Sequence, residues 1–135
     1  MSALLALRDR LAALDPGAPV FAGARDVGGD AINLQTYGGD PGLHFDGGNL
    51  PLFEFIAFQA MARSVNQARA SELAERVYEL MPGRYLTLSD GVRYDWIVAN
   101  HRPAYAGVDE AGKALVVVNF TARRDGPATR VGEAA

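Results

Sequence analysis

The middle of the chain contains two patterns of apolar residues, one directly after the other. Residues 52–63 (LFEFIAFQAMAR) are largely apolar at both sets of alternate positions, which predicts a long strand that is covered on both faces. Residues 70–81 are apolar at every third or fourth position, which predicts an amphipathic helix. Ser64 and Gln67 have the spacing of a capping box at the start of this helix, and Pro82-Gly83 ends it. A strand and the helix that covers it therefore form the predicted centre of a small domain.

Further elements are predicted on either side of this centre. Leucines at three- and four-residue steps predict a one-sided helix over residues 2–14. Alternating or β-branched apolar residues predict strands, and short turn signals join the last four of them into two hairpins. These strands span residues 20–24, 31–37, 85–88, 92–98, 105–108 and 114–123.

Together these elements predict an α+β fold in a single domain, residues 1–123. Its mixed, mostly antiparallel sheet packs against two helices, in the order α-β-β-β-α-β-β-β. A chain of 135 residues is long enough for one hydrophobic core. Residues 124–135 (RDGPATRVGEAA) are small and polar, which predicts a flexible C-terminal tail.

A glycine-rich segment precedes the central strand. Residues 38–49 (GGDPGLHFDGGN) contain five glycines and a proline, which favour a long exposed loop over a helix or strand. Leu43 and Phe45 would face water in such a loop, so we interpret it as a loop that binds a partner. The candidate contact residues are Asp40, Leu43, His44, Phe45, Asp46 and Asn49.

Composition narrows the classes of function. The net charge of -3 disfavours binding that depends on neutralising DNA phosphates. The absence of cysteine excludes disulfides and thiolate chemistry. The charged run at residues 8–10 is unlike a signal peptide, and no uncharged segment has the length of a membrane span. We therefore expect a soluble cytosolic protein that binds no metal and no cofactor.

One segment partly matches a phosphate-binding loop. Residues 107–114 (GVDEAGKA) have the GxxxxGK spacing, but Ala114 replaces the hydroxyl residue that holds magnesium. Asp109 and Glu110 would also repel phosphate. A hairpin turn is the better interpretation, and its residues Asp109, Glu110 and Lys113 are candidates for a subunit contact.

No pattern in the chain specifies a reaction, and we predict that the protein is not an enzyme. The two histidines are far apart in sequence, and only His44 has a nearby carboxylate, on Asp46. A small monomeric ligand-binding or hydrolytic α+β domain remains an alternative. It requires folding to bring His44, Asp46 and His101 together.

Four segments carry a resemblance that spans most of the chain. They are YGGDP at 37–41, FQAMARS at 58–64, the Ala-x-x-Leu-Ala helix at 68–80, and PAYAGVDE at 103–110 with VNF at 118–120. In order and spacing they resemble the tail terminator (tail completion, or minor capsid) family of long-tailed bacteriophages.

The resemblance implies a homo-oligomeric ring, usually a hexamer, that caps the head-proximal end of the tail tube and ends its polymerisation. The implied partners are the tail tube protein and the connector or neck proteins, while genomic DNA passes through the lumen without specific binding. The protein would be made in the host bacterial cytoplasm and reside in the virion, with no membrane contact.

The resemblance also implies roles for particular segments. The loop at 38–49 would contact the tube, and the strand at 115–123 or its hairpin turn would contact the next subunit, with the sheet extended between neighbours. Another neck component, such as a head-closure or connector protein, is the nearest alternative.

Deletion of residues 43–45 tests the role of the loop. Because the loop is expected to lie outside the core, the shortened protein should fold but fail to arrest tube growth. Tail lengths measured by electron microscopy should then become long and variable. Tails of normal length would contradict the assignment.

Overall fold

The computed structural model describes residues 2–23, 28–38 and 52–126. These ranges form an α+β single domain with two helices and one mixed sheet of seven strands, as predicted. The elements are α1 (Ala3–Ala13), β1 (Val20–Ala22), β2 (Ala31–Gly38), β3 (Phe53–Ser64), α2 (Gln67–Leu80), β4 (Gly83–Thr87), β5 (Arg93–Ala99), β6 (Ala104–Val108) and β7 (Ala114–Asp125).

The sheet is built around β3 and β7. Its strand order is β1-β2-β3-β7-β5-β4. The edge of β7 that faces away from β3 is shared by two strands: β6 pairs with the first part of β7, and β5 pairs with the last part. All pairs are antiparallel except β1 with β2. Four strands follow α2, in agreement with the two predicted hairpins, whereas the predicted order α-β-β-β-α-β-β-β has one strand too few.

Both helices pack on the same side of this sheet. The even-numbered residues of β7 from 114 to 122 point into a single core, where Phe120 stacks on Phe58 at 5.2 Å between ring centroids. Helix α1 contributes Leu7 and Leu11 to this core, as its leucine spacing predicted. Helix α2 adds a stripe of Ala70, Leu73, Ala74 and Val77.

The prediction that β3 is covered on both faces is wrong. Its residues 58, 60, 62 and 64 are buried, whereas Phe53, Phe55 and Met61 on the opposite side are only half-buried. Within the described residues no helix packs on that side. The apolar residues there pack against side chains of neighbouring strands, which a pattern within one strand cannot distinguish from a covering layer.

The predicted tail begins too early in the sequence. Strand β7 continues through Asp125, and the backbone N–H of Gly126 donates to the Leu52 carbonyl at 2.6 Å. Arg124 belongs to the sheet because a carboxylate of β3, on Glu54, pairs with it at 2.8 Å. Residues 127–135, the rest of the predicted tail, lie outside the described residues.

Helix α2 starts differently from the predicted capping box. Its N-cap is Asn66, whose side-chain oxygen accepts from the N–H groups of Ala68 and Arg69. Ser64 is still part of β3, and its hydroxyl accepts from the Asn66 N–H at 3.1 Å. Asn is as good an N-cap as Ser, so the spacing of Ser64 and Gln67 did not decide the boundary.

The end of α2 is capped by a residue from the start of the chain. The Arg10 guanidinium donates to the carbonyls of Leu80, Met81 and Pro82 at 3.0–3.3 Å. A cation at this position also interacts favourably with the helix dipole. Next to it, the Ser89 hydroxyl donates to Asp9 at 2.8 Å and is the main cause of the lowered pKa of Asp9. Helix α1 is thereby tied to α2 and to the turn between β4 and β5.

Two substitutions distinguish the observed cap from the predicted one. Asn66→Ala should lower the free energy of unfolding by about 1 kcal/mol, because two N–H groups lose their acceptor. Gln67→Ala should change it by less than about 0.5 kcal/mol, since Gln67 is exposed. Urea unfolding followed by circular dichroism measures both. A larger loss in Gln67→Ala would support the capping box instead.

Candidate subunit and partner interface

The side of the sheet opposite the helices is called here the open face. On it Phe55 packs against Trp96 with ring centroids 6.2 Å apart, and the Arg123 guanidinium lies 3.7 Å from the Phe53 ring centroid. Asp95 pairs with Arg123 at 3.3 Å. An arginine stem above an aromatic ring covers apolar surface while its charge stays near water. The open face is therefore aromatic at one end and carries an ion pair there.

Further along the open face the side chains become neutral and polar. The Gln59 amide donates to Asn119 at 3.0 Å, across the pairing of β3 with β7. Gln35 and Tyr37 of β2 complete a shallow cavity of ≈ 110 Å³ with these two residues. Amides and a phenol offer hydrogen bonds without charge, so this region suits contact with a polar partner surface.

A cluster of charged side chains lies on the core side of the sheet, behind the aromatic end of the open face. Arg124 pairs with Glu54 at 2.8 Å and with Asp90 at 3.3 Å, and the Tyr94 hydroxyl donates to Asp90 at 3.0 Å. Burial raises the pKa of Tyr94 to about 12. The cluster joins β3, β5 and β7 to the turn at Asp90, because each charge has its partners on a different element.

The turn between β6 and β7 is a hairpin turn, as predicted for residues 107–114. One carboxylate oxygen of Asp109 accepts from the N–H groups of Ala111 and Lys113, both at 2.9 Å. The other binds Arg63 of β3, and this hydrogen bond is the main cause of the lowered pKa of Asp109. The Lys113 ammonium donates to the Gly29 carbonyl at 2.9 Å.

The three predicted contact residues of this turn thus have different roles. Asp109 holds the turn together, and Lys113 is only 5% exposed, so it serves mainly to attach the turn to Gly29. Glu110 is exposed. Together with Arg63, Asp109 and Ala111 it lines a concave site of ≈ 280 Å³, called here the hairpin pocket.

The strand at 115–123 has no free edge for pairing with another subunit, and its role in a subunit contact, or that of its hairpin turn, stays a prediction. Strand β7 pairs with β3 along its whole length, and its other side is taken by β6 and β5. Where β5 ends and β6 begins, Asn119 bonds to Asn100 and His101 instead. The free edges of the described sheet are β1, β4 and β6, and a new strand can add only there.

His101 has a structural role at this joint. Its Nε2 accepts from the Asn119 backbone N–H at 3.2 Å, and its Nδ1 lies 2.6 Å from the Arg102 carbonyl oxygen, to which it donates as the protonated nitrogen. Both ring nitrogens are therefore engaged with the backbone. His44 and Asp46, the other members of the alternative catalytic group, lie outside the described residues.

The predicted loop contacts cannot be placed by this structure. Strand β2 ends at Gly38, and Asp40, Leu43, His44, Phe45, Asp46 and Asn49 lie outside the described residues. Their role as tube contacts stays a prediction.

The described residues form neither a metal-binding cluster nor a membrane-spanning helix. No group of three or more His, Cys, Asp or Glu side chains there is placed to hold a metal ion. No helix in the same ranges is long and apolar enough to span a membrane.

The edge strand β4 contains a residue in an unusual backbone conformation that the sequence did not indicate. Tyr85 has a φ of 54°, in the left-handed region, and its side chain is 72% exposed. Nothing in the local sequence signals this conformation, which Gly or Asn adopt more readily than Tyr. The pairing of β4 with β5 skips Tyr85 opposite a bulge at Asp95, which becomes visible only in the folded sheet.

The raised pKa of Tyr94 predicts a loss of stability in alkali. Its hydroxyl stays protonated in the folded chain up to about pH 12 but ionises near pH 10 when unfolded. This contribution is therefore complete below pH 10 and is lost as the pH rises through 12. The free energy of unfolding should fall between these values, and Tyr94→Phe should reduce that fall. Tyr85→Phe, at an exposed position, is the control; an equal effect of both would contradict the assignment.

Comparison with known proteins shows a similarity of fold. No family model and no curated protein matches the chain. A solved structure, a chain from the virion of a native gene transfer agent (GTA) particle, matches with a TM-score of 0.63 and 19% identity. The match covers 92% of this chain and 95% of that chain. The two chains therefore share a fold over nearly their whole lengths.

Proposed function

We propose that this chain is a structural protein of a phage-like virion, and that its copies form a ring, usually of six, on the head-proximal end of the tail tube. The observation that carries the proposal is the fold shared with a chain of a gene transfer agent virion, over 92% of one chain and 95% of the other. The order of segments in the sequence independently resembles tail terminators. In this role the ring ends tube polymerisation and joins the tail to the neck.

The surfaces of the sheet support a role in assembly. Large apolar side chains are exposed at its free edges, with Tyr85 on β4 and with Tyr105 and Val108 on β6. The open face adds Trp96 and Arg123 beside two phenylalanines. Tyrosine, tryptophan and arginine are the residue types enriched where protein interfaces gain most of their affinity.

The polar groups support a structural role over a catalytic one. Glu54 and Asp90 both pair with Arg124, and Arg63 binds Asp109. His101 is engaged by the backbone on both nitrogens. These groups hold strands together, which suits a subunit that must keep its shape within a ring.

The remaining roles in this proposal are those that the resemblance to tail terminators implies. Residues 38–49 contact the tail tube protein, and the opposite side of the ring meets the connector or neck proteins. Genomic DNA passes through the lumen without specific binding, which suits a chain of net charge -3 because few counterions are released. The assembled protein resides in the virion.

The solution mass is the first measurement to make. Light scattering over a range of concentrations should give a discrete species near six times the 14.4 kDa subunit mass. If the free protein is monomeric, adding tail tubes from the same particle should recruit it to one tube end, as seen by electron microscopy. A monomer that leaves tube ends uncapped and tube growth unchanged would contradict the proposal.

A further inference from the structure

Tyr85 combines two unusual properties. A bulky residue with φ at 54° is a genuine outlier, and such conformations persist only where the surrounding structure imposes them. The pairing of β4 with β5 joins Arg84 to Trp96 and Leu86 to Tyr94 but skips Tyr85. The Tyr85 side chain is 72% exposed, so burial within the chain offsets little of this strain.

The neighbouring strand is irregular at Asp95, the position opposite Tyr85. Strand β5 has a bulge at Asp95, because Tyr94 pairs with Arg124 of β7 while Trp96 pairs with Arg123. The Asp95 carboxylate lies 3.3 Å from Arg123 and 3.7 Å from Arg93, which holds the bulge in place. A bulge increases the local twist and bends the strand beside it.

This part of the sheet edge is aromatic and positively charged, and it is called here the Tyr85 edge (Arg84, Tyr85 and Arg93). The Arg93 guanidinium lies 5.9 Å from the Tyr85 ring centroid. Arg84 is exposed and forms no ion pair with a described residue. A left-handed residue within β4 also obstructs the addition of another strand along this edge, so contact here must be made through side chains.

The hairpin pocket has the complementary character. It has a volume of ≈ 280 Å³, and small Ala111 forms part of its wall. The charges of Arg63 and Asp109 neutralise each other, whereas Glu110 is exposed and forms no ion pair within the described part of the chain. The pocket is therefore concave and negative, while the Tyr85 edge is protruding and positive.

The two surfaces lie near opposite ends of β7. Arg84, Trp96 and Arg123 form one row across β4, β5 and β7, whereas the pocket adjoins the pairing of Val108 with Ala114. Ala114 and Arg123 are nine residues apart, or about 30 Å along the strand. Complementary surfaces on different parts of one chain make a head-to-tail contact, which generates a closed ring or an open filament.

We propose that the Tyr85 edge of one copy inserts into the hairpin pocket of the next copy. The Tyr85 ring fills the pocket, and Arg84 pairs with Glu110. The occupant is thus a second copy of this chain, and the inference rests on the proposed function in assuming that copies assemble. The strain at Tyr85 is retained because it aims the ring at the neighbouring subunit.

Disulfide cross-linking can test this contact without interference from native thiols, because the chain contains no cysteine. Tyr85→Cys and Ala111→Cys are prepared separately, one with a longer tag, and each is checked for folding by circular dichroism. Mixed under mild oxidation, they should give a dimer containing one copy of each variant on a non-reducing gel. Each variant alone should give little dimer. Tyr105→Cys, an exposed tyrosine on β6, mixed with Ala111→Cys is the matched control.

The outcomes separate this contact from the proposed function. If wild-type protein assembles but the mixed dimer does not exceed the Tyr105 control, the contact is wrong and the ring stands. If the mixed dimer forms while light scattering shows open chains of many sizes, the contact stands and the ring is wrong. Failure of both the cross-link and assembly, with or without tail tubes, overturns both.

Discussion

Twelve consecutive residue pairs join β3 to β7, from Phe53 with Asp125 to Ser64 with Ala114. This uninterrupted register fixes the position of every other element, because β2 can add only outside β3, while β5 and β6 share the outer side of β7. Charged pairs lie at both ends of the register: Glu54 with Arg124 at one end, and Arg63 with the turn before Ala114 at the other. Since a slip by one residue would move the core side chains of one of the two strands to the open face, the register is strongly specified.

The same register explains why the open face is apolar without being covered by a helix. Side chains alternate between the two sides, so placing Phe58 and Phe120 in the core places Phe55 and Arg123 on the other side. The aromatic rings there are shielded by one another and by an arginine stem, at the cost of remaining half-buried. Such a surface is stable in water but gains further from a partner that excludes the remaining solvent.

Much of the fold was predictable because periodicity records burial. The helix expected at 2–14 is α1 with its two caps, and both hairpins were placed by their turn residues. The errors arise where distant residues decide the outcome. The apolar outer positions of β3 depend on Trp96 and Arg123, the strand at Arg124 depends on Glu54, and the conformation of Tyr85 occurs opposite a bulge at Asp95. Of the predicted contact residues, only those in the hairpin turn lie in the described ranges. The sequence alone could not show that Lys113 is buried while Glu110 is exposed, because this depends on how the turn packs in the fold.

The Arg10 cap has a consequence for the order in which the chain becomes structured during synthesis. Helix α1 has only 11 residues, too few for a stable helix in water by itself. The carbonyls that Arg10 binds belong to residues 80–82, and its neighbour Asp9 is bound by Ser89. These groups leave the ribosome only after more than half of the chain has been made. Helix α1 is therefore made well before the groups that hold it, and a nascent chain that stops before Pro82 lacks those groups.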